Sequence, residues 1–231
     1  MAPRYKPVGA QMMLAVALEK SMDWNWSGEA RTRVRTLAAQ EAFITEGDQA
    51  SNVYDVLEGI AIIYKIFQDG RRHVVHFAYP GDIVGFDQAK TFDFNCEALT
   101  VARIRCIPKT GLLAAALENP SFGQRLLDFA AGEISSARRL STTLSRKTAI
   151  ERVATFLLDL AGRRVSQCDR IPVPMSRTDI ADYLGLTMET VSRNITKLRT
   201  LGIIDLPGAS TVRILNETAL RGLAECAELV H

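Results

Sequence analysis

Histidine is scarce in this chain, with three in 231 residues, and the four cysteines (Cys96, Cys106, Cys168, Cys226) stand far apart with no CxxC spacing. That argues against a zinc site and for separate reduced thiols. Long apolar runs are also missing. Nothing approaches the ~20 apolar residues that span a bilayer, and the short apolar stretch at 12–18 ends at Glu19-Lys20 without a convincing cleavage site. The expectation is a cytoplasmic protein with no membrane partner. One-sided charge is absent as well: 28 Lys and Arg against 26 Asp and Glu leave +2, so attraction to phosphate must come from local clustering. No nucleophile and base pair, metal cluster or phosphate loop stands out, so an enzyme is not expected and no cofactor is implied.

What the chain does have is two short helices written around one glycine. Ser176 is a helix-capping hydroxyl, Asp179 three residues later completes a capping box, and Ile180, Ala181 and Leu184 supply an apolar side. Gly185 is placed to take the left-handed turn, and Thr187 caps the next helix. On that second helix Val191, Ile195 and Leu198 form one stripe, while Glu189, Ser192, Arg193 and Thr196 fall opposite. Such a face suits the major groove: Arg pairs with O6 and N7 of guanine, and Glu accepts from the cytosine amino group. The alternative is an ordinary solvated helix face. Two apolar runs split by Pro207-Gly208 follow at 201–215 and read as a hairpin, or wing, which favours a winged helix-turn-helix over that alternative.

The second half also carries a basic bias, in Arg139, Arg146, Lys147, Arg152, Arg163, Arg164, Arg170, Arg177, Arg193, Lys197 and Arg199. Cys168 lies in a polar connection among Arg163, Arg164 and Arg170, which favour a thiolate. One reading makes it a redox site whose oxidation weakens DNA binding; a tolerated loop thiol is the plainer reading.

The first half has a different grammar. Short β-prone runs at 43–44, 52–57, 60–67, 73–79, 83–86 and 99–107 are punctuated by Gly47, Gly59, Gly70 and Gly81, a barrel or jelly-roll spacing. Asp69-Gly70 and Pro80-Gly81-Asp82 read as turns. His73 and His76 are three apart in an alternating strand, which predicts opposite faces and disfavours joint ligation of heme or a metal. Between the halves, 121–144 is a long helical pattern with Leu127, Ala130, Ile134, Ala137, Ser141 and Leu144 in steps of three and four, a coiled-coil-like seam. An intramolecular helix packed on the roll is the alternative. A second amphipathic helix begins near 149, which places a hinge at 145–148.

The runs Thr178-Asp179-Ile180-Ala181, Tyr183-Leu184-Gly185-Leu186-Thr187 and Glu189-Thr190-Val191-Ser192-Arg193 resemble the recognition motif of FNR/CRP-family bacterial transcription regulators, in particular the FixK-like branch. Glu46-Gly47-Asp48, the run at 53–59 and Pro80-Gly81-Asp82 are similar to the family's cyclic-nucleotide-binding-type β-roll. The resemblance implies an α+β chain: a β-roll with flanking helices over 1–120, a dimerisation helix over 121–147 and a winged helix-turn-helix over 148–231.

It also implies base reading by Glu189, Ser192 and Arg193, with supporting or phosphate-contacting roles for Ser176, Arg177, Thr187, Met188, Thr190, Thr196 and Lys197. Met188 stands where members reading the cyclic-AMP-type operator tend to carry Arg, which favours a TTGA-type half-site. The implied partners are a palindromic DNA duplex, a second copy of the chain and RNA polymerase, in the control of low-oxygen respiratory or related genes. With no cysteine before Cys96, the family's iron-sulfur cluster has no counterpart here. The 92–97 stretch lacks the Arg-Ser pair that holds a cyclic phosphate. The competing function is an effector-gated sensor of cyclic nucleotide or heme.

Overall fold

Gly47, Gly59, Gly70 and Gly81 all hold φ between +80° and +93°, so the glycine rhythm of the first half is a rhythm of turns. At Gly59 space matters as much as φ: a Cβ there would lie 2.3 Å from the Val101 carbonyl oxygen. The computed structural model describes residues 32–86, 89–163 and 170–225. Its strands β1 (Arg33–Leu37), β2 (Ala42–Ile44), β3 (Asn52–Glu58), β4 (Ala61–Ile66), β5 (Arg72–Ala78), β6 (Ile83–Val84), β7 (Asn95–Ala98) and β8 (Ala102–Pro108) form two antiparallel sheets. Their orders are β1-β8-β3-β6 and β2-β7-β4-β5. Leu37, Val56, Ala61, Cys96, Ala98 and Ile104 fill the space between them, joined by Phe43, Tyr54 and Phe92 with ring centroids 5.2 and 6.4 Å apart.

Sequence reading missed β1, whose Arg-Val-Arg-Thr-Leu buries only Leu37, and β7, which is short and half polar. It also began β8 too early, since 99–101 form the turn into that strand. One correction concerns the histidines. A bulge shifts the β4–β5 register so that Ile63 faces His76 and Tyr64 faces Val74, while His73 faces Lys65. The inserted residue, Val75, restores the two-residue parity. His73 and His76 therefore share a face instead of pointing apart.

After the roll come α1 (Lys109–Glu118), α2 (Pro120–Arg146) and α3 (Ala149–Gly162). Asn119 caps α2 by accepting from the Phe122 amide, with Pro120 at the first helical position, where a missing N–H costs nothing. Thr148 and Glu151 close a capping box on α3, so the two helices are separated only by Lys147 and Thr148. Phe122 and Leu126 pack with Val53, Ile107 and Leu112 and fix α2 to the roll. The seam side of α2 is open: Leu127 is 66% and Ile134 54% exposed, Ala137 and Ser141 are exposed, and Ala130 and Leu144 are half-buried.

The remaining elements are β9 (Arg170–Pro172), α4 (Arg177–Leu184), α5 (Met188–Thr200), β10 (Ile204–Gly208), β11 (Thr211–Ile214) and α6 (Glu217–Glu225). The β10–β11 hairpin is the expected wing, and β9 adds a third antiparallel strand beside β11. Among the described residues no helix is long and apolar enough to cross a membrane.

Candidate DNA-reading surface

The local sequence builds the turn between α4 and α5 as its chemistry dictates. The Ser176 hydroxyl accepts from the Asp179 amide at 3.0 Å, while Asp179 Oδ2 accepts from the Ser176 amide at 2.9 Å. Gly185 ends α4 at φ +61°, ψ +43°, a conformation that costs an L-residue roughly 1–2 kcal/mol. Thr187 then caps α5 by accepting from the Thr190 amide. Val191, Ile195 and Leu198 are buried against α3 and α4, which forces the opposite side outward. Glu189, Arg193, Thr196 and Lys197 are exposed, Ser192 is half-buried, and Met188 is 46% exposed.

Met188, Glu189, Ser192, Arg193 and Thr196 line one shallow, open depression. A carboxylate, a guanidinium and hydroxyls thus share a single helix edge that no other described residue covers. Glu189 in the first turn and Lys197 and Arg199 in the last suit the helix macrodipole. Ser176, Thr187 and Thr190 are arranged differently: their hydroxyls are engaged in the caps, and Arg177 is half-buried beside them.

Two families match this chain. Residues 34–119 match the family described as a cyclic nucleotide-binding domain, and residues 151–223 match the Crp-like helix-turn-helix domain. The nitrogen fixation regulation protein FixK of Azorhizobium caulinodans is 40% identical over 190 residues, 80% of this chain and 77% of the relative. The chain belongs to the CRP/FNR family of DNA-binding transcription regulators. The transcriptional activatory protein AadR of Rhodopseudomonas palustris is 38% identical over 190 residues, covering 80% of this chain and 78% of that one. Among solved structures, FixK2 from Bradyrhizobium japonicum superposes with a TM-score of 0.78 at 36% identity, over 83% of this chain and 96% of that one. CRP/FNR proteins are regulators, not enzymes, and this one has the α+β architecture of β-roll, long helix and winged helix-turn-helix.

Not every cation of this CRP/FNR regulator's second half faces outward. Arg152 donates from Nη2 to the Leu144 carbonyl at 2.7 Å, from Nε to Lys147 at 2.9 Å and from Nη1 to Leu184 at 2.9 Å. It ties the end of α2 to the end of α4 across the hinge. Arg163 turns toward Asp82 of the roll, with Nη1 at 3.3 Å from Oδ2. Both belong to the basic bias of the sequence, but burial and partners assign them to architecture; charge in a sequence carries no direction. Cys168 and Arg164 lie outside the described residues, as does the 12–18 stretch.

Proposed function

We propose that this regulator binds, as a homodimer, a palindrome of TTGA-type half-sites, and activates genes of low-oxygen respiration or related metabolism from the cytoplasm. The observation that carries the reading is the edge formed by exposed Glu189 and Arg193 and half-buried Ser192, set opposite the buried Val191, Ile195 and Leu198 stripe. Glu189 and Arg193 read base edges, Ser192 adds a short hydroxyl contact, and Met188 offers an apolar surface to a thymine methyl. Thr196 and Lys197, with the capped N-termini of α4 and α5, including Ser176, Arg177, Thr187 and Thr190, face the phosphates and set the register.

A single reading helix covers only a few base pairs. Two, related by a twofold axis, reach major-groove segments about 34–36 Å apart and so demand a palindrome. The apolar, small-residue side of α2, with Leu127, Ala130, Ile134, Ala137, Ser141 and Leu144, is the surface that pairs. Kinship with proteins named as transcriptional activators supports activation through RNA polymerase. The 92–97 stretch, which lacks an Arg-Ser pair to hold a cyclic phosphate, supports DNA binding without a cyclic nucleotide.

The test is affinity of the purified, ligand-free protein for a TTGA palindrome, with Arg193→Ala alongside. Wild type should bind at nanomolar concentration. Arg193→Ala should lose about 1–3 kcal/mol and relax preference at one guanine position. A strict requirement for added cyclic nucleotide or heme would overturn the effector-free reading in favour of a gated sensor.

A further inference from the structure

The reading head is held to the roll by more than its linker. Ile62 of β4 and Val74 and Phe77 of β5 turn away from the roll interior and join Val153, Phe156 and Leu157 of α3 in one buried cluster. Phe77 lies 5.2 Å from Tyr183 of α4 and 6.3 Å from Phe156, whose rings are 5.9 Å apart, closing an aromatic triangle. An ion pair flanks this apolar seam on each side, and the two run in opposite senses. From the head, Arg163 reaches Asp82, a roll residue 3% exposed, and stacks on Tyr79 at 4.4 Å.

From the roll, Arg72 reaches α4. Its Nη1 donates to Asp179 Oδ1 at 2.6 Å and lies 3.5 Å from Asp182. Tyr64 supports the guanidinium from below at 4.4 Å, and Glu97 stands 3.9 Å away while accepting from the Tyr64 hydroxyl. Asp179 therefore does two things with its two oxygens: Oδ2 closes the Ser176 cap that starts the helix-turn-helix, and Oδ1 is gripped by the roll. Tilting the head breaks one bond or the other. Because α4 is joined to the reading helix by a single tight turn, its angle to the roll dictates that of α5.

We propose that Arg72 is a positioning residue for operator recognition: by holding Asp179 it fixes the angle of α5 to the roll, and so sets the half-site spacing that the paired protein accepts. The proposal rests on the reading of a palindrome-binding homodimer. One base pair moves a half-site by about a tenth of a DNA turn, in rotation as well as distance. A rigid head cannot follow such a shift, whereas a loosened one can.

The experiment measures affinities of the full chain for a single half-site and for palindromes with the spacer at its best length, one base pair shorter and one longer. Wild type should lose about tenfold or more on either shift, roughly 1.4 kcal/mol. Arg72→Met, which keeps the apolar stem, should bind the single half-site as wild type does and bind the best palindrome more weakly. It should lose less than about threefold on a shift, and Arg72→Lys should fall between, since an ammonium lacks the planar fork. Should Arg72→Met fail to fold, Asp182→Asn leaves the Ser176 cap untouched and must compress the penalty in the same direction. Equal penalties in wild type and variant, or single-half-site affinity falling in step with that of the palindrome, would overturn the positioning role. A wild type that prefers no palindrome over a half-site would remove the dimer reading, and the positioning role with it.

Discussion

Replacing Arg152 with Met is the sharpest test of how the hinge is built. In the folded protein its guanidinium serves the carbonyls of Leu144, Lys147 and Leu184. Leu144 and Leu184 lie in the last turns of α2 and α4, where carbonyls have no partner within the helix. A hydrogen bond from a charged donor contributes about 1.5–3 kcal/mol net when buried. Arg152 is half-buried, and water can reach part of what it leaves, so about 1 kcal/mol per bond is the better figure. The positive charge beside two helix C-termini adds roughly 0.3–1 kcal/mol. Arg152→Met, which preserves the stem, should then lose about 3–4 kcal/mol in urea denaturation, while Arg152→Lys recovers less than half of that. The salt dependence of operator binding should be unchanged. The reasoning is refuted if stability holds within about 0.5 kcal/mol while affinity drops and the salt slope shallows, because that is the signature of a phosphate contact.

Lys197, exposed on the last turns of α5, should behave in the opposite way: Lys197→Ala should weaken all DNA sequences alike and reduce the salt slope by about 1, with thermal stability intact. Asp55 is 2% exposed, and burial pushes its carboxyl up to about 6, against the pull of Arg105 at 3.7 Å and with Asp82 adding repulsion. The raised folded value means that the native state holds the proton more tightly than the unfolded chain, so stability falls as pH rises between roughly 4 and 6. Asp55→Asn should therefore gain on wild type by up to about 3 kcal/mol near pH 8, two pKa units at 1.36 kcal/mol each, with the gap closing toward pH 4. A gap independent of pH would refute that account.

The local rules were legible in the sequence wherever the decisive interaction is short-range. Ser176, Asp179, Gly185 and Thr187 fix their own caps and turn within a few residues. The 3.6-residue period alone separates the buried stripe of α5 from its exposed edge. Turn glycines marked the strands of the roll for the same reason, since only glycine takes those φ values freely. Family membership followed from this dense local pattern.

Tertiary structure decided what depends on distant partners. That Arg152 and Arg163 turn inward while Arg193 and Lys197 turn outward is invisible in composition, because a side chain's direction is set by which carbonyls and carboxylates arrive from elsewhere in the chain. The bulge that puts His73 and His76 on one face appears only when β5 pairs with β4. The joining of head to roll through Arg72 and Asp179, 107 residues apart, has no local signature at all: neither residue type nor spacing records a contact made by packing two domains over a shared apolar seam.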